Sequence, residues 1–199
     1  MKKMILTSAV MLACLAISAQ VKLYKTYEDF VNERAETFDN EYIGWKESTF
    51  GMLIKFKNDE GQLVKYKIKD FWGFVYKDHL FRSVGSELAM LQDTGKIYYY
   101  MNGFAALDLI SRPEQHSGYF AAGETYCFTS ADSVNADIYR MPISPIDKRD
   151  YKALKKDHPE FNELFDCIRL TKSVQLNYQL IRRCVKEFND SYRKQNRTH

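Results

Sequence analysis

Residues 50–82 alternate apolar and polar side chains in short runs separated by turn residues, and this pattern restricts the fold more than any other feature of the chain. In the first run Met52, Ile54 and Phe56 alternate with leucine or lysine, and a second run over 64–68 alternates in the same way. A period of two places one apolar face on a core and leaves a lysine-rich face in water. The stretch therefore predicts an antiparallel β-meander.

The two runs also predict the register of a hairpin. A three-residue loop over 59–61, with Gly61 in the left-handed conformation, pairs Asn58 with Gln62. The apolar residues then lie opposite one another on one face: Phe56 with Val64, Ile54 with Tyr66, and Met52 with Ile68. Because the turn type and the apolar pattern select the same register, the hairpin is well specified.

Weaker strand signals continue beyond the meander. Residues 93–95 (Asp-Thr-Gly) repeat the acid-x-Gly loop and predict a second hairpin over 88–101. Further strands are expected at 104–110, 118–121, 125–129 and 137–141, separated by loops at 112–117 and 131–135. Residues 39–46 fit either a loop or an edge strand.

Residues 1–19 have the layout of a signal peptide. Two lysines at the start of the chain precede an apolar run over 4–17. The small residues that end this segment suit cleavage after Ala19 or, alternatively, after Ser18. The alternative is a lipoprotein anchored through Cys14. The residues that follow this cysteine stay apolar, where a tethered protein normally becomes polar, so we favour export without a lipid anchor, to the periplasm or the medium.

The rest of the chain, residues 20–199, has the length of one domain. We predict an α+β fold: an antiparallel, meander-rich sheet over 20–141, a short N-terminal helix, and a helical C-terminal tail over 146–195 packed on the sheet. Thr26 can cap the N-terminal helix, with Phe30 directed at the sheet.

The tail begins after Pro142 and Pro145, which exclude a central strand or a continuing helix. A first tail helix is expected over 147–157, and a second opens at Pro159 and runs through Phe165. On the last helix one apolar stripe repeats at helical spacing: Val174, Tyr178, Ile181, Val185, Phe188 and Tyr192. We expect this stripe to dock on the sheet, with Arg183, Lys186 and Arg193 in solvent.

Composition and charge exclude several classes of function. The formal net charge of +3 is small for a nucleic-acid-binding protein, so no nucleic acid partner is expected. Beyond the leader the longest uncharged run, residues 97–107, is too short to span a bilayer, which takes about 20 apolar residues.

Three cysteines remain after the leader: Cys127, Cys167 and Cys184. In an oxidising compartment Cys167 and Cys184, both in the helical tail, can form a disulfide. The simpler interpretation is three small buried hydrophobic residues. No CxxC spacing is present, so neither a zinc site nor a redox motif is predicted.

No motif in the sequence predicts catalysis. The four histidines lie at turns, in loops or at the C-terminus, and none has a Cys, Asp or Glu at the spacing of a metal site or triad. A nucleophile elbow and a glycine-rich phosphate loop are also missing from the sequence. We therefore expect no cofactor, no metal and no catalytic residue that sequence alone can identify.

Aromatic residues make up 15% of the chain and provide the only candidate ligand-binding residues: Trp72, Phe71, Tyr98 and Tyr100. Exposed rings of this kind can stack on the C–H face of a sugar. The alternative, which we favour, is that these rings pack within the sheet, since aromatic residues are common in strands and stabilise cross-strand pairs by roughly 0.2–1 kcal/mol.

The order of these features resembles that of small exported β-rich proteins of Gram-negative bacteria with no assigned function. The resemblance lies in the leader, residues 27–30 (Tyr-Glu-Asp-Phe), 72–74 (Trp-Gly-Phe), 80–82 (Leu-Phe-Arg), 95–98 (Gly-Lys-Ile-Tyr) and the helical tail. It implies a fold and an envelope location but no active-site residue.

From the leader and the missing motifs we expect a non-enzymatic binding or structural component of the cell envelope. Its partner would be an envelope or extracellular ligand, either a glycan or a protein. The alternatives are a glycan-binding protein or hydrolase that uses an aromatic platform, and recognition of a peptide along an exposed sheet edge.

Overall fold

Ten antiparallel strands form the body of the fold. The computed structural model describes residues 20–49, 51–111, 127–131, 133–141, 156–170 and 178–195. The strands in chain order are β1 Val21–Tyr24, β2 Glu36–Ser48, β3 Gly51–Lys57, β4 Leu63–Lys67, β5 Gly73–Tyr76, β6 His79–Val84, β7 Glu87–Asp93, β8 Ile97–Asn102, β9 Cys127–Ala131 and β10 Ile138–Met141. They pair in the order β10-β9-β8-β7-β6-β5-β1-β2-β3-β4, so sequence neighbours are spatial neighbours except where β1 lies between β5 and β2.

Strand β2 joins two sheets. Its first residues pair with β1, and Asp39 and then Ile43–Ser48 pair with β3. The register shifts between Asp39 and Ile43, as expected where a strand bends from one sheet into the next. Residues 39–46 are therefore part of a long interior strand, which excludes both of the roles expected for them, loop and edge strand.

The first hairpin has the predicted turn and register. Asn58 N donates to Gln62 O at 2.9 Å, and Gly61 has φ +78°. Phe56 pairs with Val64 and Ile54 with Tyr66. The expected pairing of Met52 with Ile68 does not form, because β4 ends one residue earlier and residues Ile68–Asp70 turn into a 3₁₀ helix.

The second hairpin also forms, but Gly95 has a different role from the one predicted. The described glycines with positive φ are Gly51, Gly61 and Gly85, so Gly95 is not in the left-handed region. A Cβ at Gly95 would lie 2.5 Å from Cγ of Asn189. This residue is glycine because a helix packs against the turn, which the local sequence does not reveal.

Helices also accompany the sheets, and the α-helices of the described residues are α1 Tyr27–Val31, α2 Gly103–Ser111, α3 Asn162–Leu170 and α4 Tyr178–Gln195. The strand predicted over 104–110 is wrong, because these residues form α2. Oδ1 of Asn102 accepts the amide of Phe104 at 3.0 Å and so caps this helix. The apolar run is buried, and such a run does not distinguish a strand from a buried helix.

The predicted short N-terminal helix with Thr26 as its cap is confirmed as α1, which ends at Val31. Thr26 and Asp29 form a capping box, in which Thr26 Oγ1 accepts the amide of Asp29 at 3.1 Å. The hydroxyl and the amide of Thr26 also donate to the Asp29 carboxylate, at 2.8 Å and 3.1 Å, and these hydrogen bonds lower the pKa of that carboxyl below its ordinary value. Phe30 packs edge-on against Tyr24 of β1, with ring centroids 5.2 Å apart.

The strand signals near the tail are partly covered by the description. Strand β10 confirms the prediction at 137–141, and β9 begins within the predicted 125–129. The predictions at 118–121 and 112–117, the proline break and most of the helix at 147–157 lie outside the described residues. Pro159 opens a 3₁₀ turn, Pro159–Phe161, that continues into α3.

The middle of the stripe packs on the sheet as predicted and builds a second core there, whereas Tyr192 is exposed and Val174 lies outside the described residues. Ile181 and Val185 of α4 are buried with Ile97 and Tyr99 of β8. Phe188 meets Phe161 edge-on at 5.6 Å, so the stripe contacts the preceding helical turn as well as the sheet. The predicted basic face, Arg183, Lys186 and Arg193, is exposed.

A disulfide joins α3 to α4. It links Cys167 to Cys184, whose Cα atoms are 5.8 Å apart. This pair is the one that the sequence left open as an alternative to three buried thiols. Within the part of the chain described, none of the helices combines the length and the apolar character that a membrane crossing requires.

Candidate binding cleft at Arg82

Arg82 is the one arginine among the buried residues that the structure describes, with 8% of its surface exposed. It lies on β6 next to Phe81, which packs in the main core, so the alternation of the strand directs Arg82 to the opposite face of the sheet. Tyr100 of β8 and Ser130 of β9, both 0% exposed, lie on this opposite face. A small polar cluster therefore sits on the sheet side that faces away from the main core.

The turn over residues 133–136, between β9 and β10, folds over this cluster. Nη1 of Arg82 donates to the carbonyl oxygens of Val134 and, at 3.5 Å, Ala136. Nε1 of Trp72 donates to Oδ1 of Asn135 at 3.1 Å. The turn is thus held to the sheet by the side chains of Arg82 and Trp72.

Hydrogen bonds within the cluster fix its remaining members. The hydroxyl groups of Tyr100 and Ser130 are 3.2 Å apart, and Ser130 Oγ also donates to the carbonyl of Ser133 at 3.2 Å. The amide of Asn135 donates to Oγ of Ser133 at 3.1 Å. The 133–136 turn is therefore rigidly placed above β8 and β9.

The charge of Arg82 is incompletely compensated. Its Nε is buried and has no hydrogen-bond partner, and no carboxylate of the described residues forms an ion pair with it. The guanidinium lies 4.8 Å from the ring centre of Trp72, a cation–π contact. Burial lowers the pKa of Arg82, an effect that Tyr100 and, more weakly, Asp137 oppose.

A cleft of about 440 Å³ opens beside Arg82. Its size is within the range of small-molecule sites. Its other walls combine polar and apolar side chains: Val84, Asn135, Asp137, Ile138 and Tyr139. Burial and then the neighbouring Asp157, which accepts a hydrogen bond from the phenol at 3.3 Å, raise the pKa of Tyr139. Among the described residues of the wall, a neutral phenol thus lies beside one cation and one carboxylate.

The four aromatic residues singled out from the sequence do not form a common ring platform. Trp72 and Tyr100 come together around Arg82, but Tyr100 is 0% exposed. Phe71 is buried in the core, 6.0 Å from Phe74, and Tyr98 is half-buried. The ring of Trp72 contacts Phe30 at 4.7 Å in addition to Arg82. Tyr98 packs against the cluster of Ala89 and Tyr100, so packing involves the rings of all four.

Arg82, Ser130 and Asn135 are the members of the site that sequence reasoning missed. The available signal was a lone arginine within residues 80–84 of an otherwise apolar meander strand. In sequence, however, a strand arginine that faces solvent gives the same alternation as one that faces a buried cluster. Only the pairing of β6 with β7, and of β7 with β8, places Arg82 near Tyr100.

A second cleft, about 600 Å³, lies between α4 and the ends of β6 and β7. Two of its carboxylates are paired, Asp93 with Arg182 at 2.9 Å and Asp190 with Arg193 at 3.0 Å. Its other charged side chains, Asp78 and Lys186, are exposed to water. The one fully buried polar side chain in its wall, Asn189, uses its amide on Ile97. This cleft carries no unmet charge comparable to that of Arg82.

The described histidines contribute to neither a metal site nor a triad. His79 is exposed, and His158 lies 3.1 Å from Glu160. Across the described ranges, no group of three or more His, Cys, Asp or Glu residues is placed to hold a metal ion. His116 and His199 lie outside these ranges.

Comparison of this chain with protein-family models, with curated proteins and with solved structures gave no match, so the chemistry of the cleft must be inferred from its own residues.

Proposed function

We propose that this chain is an exported, non-enzymatic binding protein of the Gram-negative cell envelope, which holds its ligand in the cleft beside Arg82. The observation that carries the binding role is the buried guanidinium with an unpartnered Nε at the wall of a cleft of ligand size. Buried charges in proteins are normally paired, so one that is left unpaired at a cleft is a candidate for ligand contact.

Two features support export. Residues 1–19 have the layout of a cleavable leader, and Cys167 and Cys184 form a disulfide. Stable disulfides are typical of oxidising compartments such as the periplasm and rare in the bacterial cytoplasm. The pairing joins two helices of the tail, so it would stabilise the domain after the leader has been removed.

The chemistry of the described wall supports binding over hydrolysis. A glycosidase of the usual type needs two carboxyl groups on opposite sides of the bond to be cleaved. The described wall of the cleft offers one, Asp137. The rings proposed as a sugar platform are largely used in packing, so the proposal places the ligand beside Arg82 and not on Trp72.

A binding screen against cell-wall fragments and extracellular glycans tests this proposal, with analysis of the mixtures for cleavage products. We expect a retained fragment and no product. Ala136→Phe, which adds a ring to the wall of the cleft, should abolish retention. Leu63→Phe is the matched control, because Leu63 is 52% exposed on β4, at the opposite end of the strand order.

The thermal unfolding midpoints of both variants show whether the fold is retained. Retention that survives Ala136→Phe would contradict the location of the site. Release of a cleavage product would contradict the non-enzymatic role.

A further inference from the structure

We infer that the ligand of the Arg82 cleft is a sugar acid, a hydroxyl-rich molecule with one carboxylate, and that Arg82 anchors this carboxylate. The inference rests on the proposed function and names the class of ligand for the same cleft. Three properties of the cleft lead to it: the unmet positive charge, the single opposing carboxylate, and the mixture of hydrogen-bonding and apolar groups in the wall.

The carboxylate follows from Arg82. Arg82 is only 8% exposed, yet no carboxylate of the described residues pairs with it. Removing an arginine from water is costly unless an anion or a full set of acceptors replaces the water. The contacts to Val134 and Ala136 use only Nη1. A planar carboxylate, like a phosphate, matches the fork geometry of a guanidinium, and it carries only one negative charge.

The limit of one negative charge follows from Asp137. It lies in the cleft wall and is exposed, and its negative charge acts on Arg82. The described residues of the cleft thus present one cation and one anion. A ligand with several negative charges would be repelled by Asp137 after the first had paired with Arg82. A single carboxylate gains from Arg82 with the least repulsion.

The hydroxyl-rich frame follows from the other walls. Oδ1 of Asn135 accepts from Trp72, which leaves the amide nitrogen of Asn135 to donate. Asp137 can accept from hydroxyl groups. Val84 and Ile138 supply apolar surface between these polar groups. A sugar ring has hydroxyl groups at its edge and C–H groups on its faces, which corresponds to this arrangement.

The test is an NMR titration of the ¹⁵N-labelled, processed protein with glucuronate and, in parallel, with glucuronamide. The two probes differ only in that glucuronamide has a neutral carboxamide in place of the carboxylate. We expect saturable shifts of the amides in residues 82–84 and 133–139 with glucuronate, and at least about tenfold weaker binding of glucuronamide, since the charge-assisted bond to Arg82 is lost. This comparison uses the unmodified protein.

A second arm uses Arg82→Lys, which keeps the charge but loses the planar fork. We expect about a tenfold loss of affinity for glucuronate and little change for glucuronamide. Arg183→Lys is the matched control, because Arg183 is exposed on α4. An arginine that only ties the turn to the sheet would change the unfolding midpoint without separating the two probes.

Three outcomes overturn the inference. Equal binding of the two probes in the cleft would remove the carboxylate while leaving the proposed binding role intact. If the amides of the cleft shift with inorganic phosphate or with L-alanine but not with glucuronate, the ligand belongs to another class of anion and is not a sugar acid. The absence of cleft shifts with any of these probes, together with retention of an envelope fragment in Ala136→Phe, would refute both the inference and the proposed site.

Discussion

Replacing Asn189 with leucine should weaken the joint between helix α4 and strand β8. Asn189 is 1% exposed, and its Nδ2 donates to Ile97 O at 2.8 Å while its Oδ1 accepts from Ile97 N at 2.9 Å. Leucine has a similar size but can neither donate nor accept. The N–H and C=O of the buried Ile97 would then lose both partners.

The expected loss follows from these two backbone groups. A buried polar group left without a partner costs about 1–3 kcal/mol, so Asn189→Leu should lower the free energy of unfolding by roughly 2–6 kcal/mol. The apolar contacts that leucine adds keep the value in the lower half of this range. Urea unfolding followed by tryptophan fluorescence measures the change.

Ser191→Leu serves as the control, because Ser191 is exposed on the same helix and the substitution there adds leucine without removing a buried hydrogen bond. Its effect should stay within about 0.5 kcal/mol. If Asn189→Leu lowers the free energy of unfolding by no more than Ser191→Leu does, the amide does not hold the tail to the sheet, and the reasoning is refuted.

Three further predictions concern the tail and the first helix. Gly95→Ala places its Cβ 2.5 Å from Cγ of Asn189, so it should lower the free energy of unfolding. This loss should be smaller in an Asn189→Ala background, where the contact is relieved. Additive losses in a double-mutant cycle would exclude the contact. Replacing Cys167 and Cys184 together with alanine should lower the free energy of unfolding by about 2–3 kcal/mol, since their sequence separation of 17 sets the loop entropy of the unfolded chain; equal urea midpoints for this variant and the oxidised parent would contradict it. Because the pKa of Asp29 is lowered in the folded state, its stabilising effect is complete above the ordinary aspartate pKa and is lost as the pH falls through the lower folded-state value. Asp29→Asn should remove that part of the acid dependence of thermal unfolding. An unchanged acid profile would contradict the capping-box assignment.

The parts of the fold that the sequence predicted correctly are those set by local patterns. The register of β3 with β4 follows from a turn that places Gly61 at positive φ and from the alternation of apolar residues, two signals that agree. The capping box at Thr26 is likewise complete within four residues. The stripe of α4 repeats at helical spacing, so its buried side was visible before its partner was known.

The errors arise where distant contacts decide. Helix α2 was predicted as a strand because its apolar run has no marked periodicity, and burial between sheet elements requires none. Gly95 seemed to be a turn glycine, but the close approach of Asn189, far along the chain, accounts for it. The local sequence around Arg82 does not show that it faces a buried cluster, because the residues of that cluster come from β8, β9 and the 133–136 turn. A binding site assembled in this way cannot be recognised from spacing alone.

The proposed export and oxidation of the chain are tested by the intact mass of the protein recovered from fractionated cells, measured before and after reduction and thiol labelling. The central claim is that the chain acts outside the cytoplasm as a folded, oxidised domain. It predicts an envelope or medium fraction in which the chain begins at Gln20 and in which Cys167 and Cys184 become labelled only after reduction. A cytoplasmic protein that keeps residues 1–19 and labels at both cysteines without reduction would contradict it.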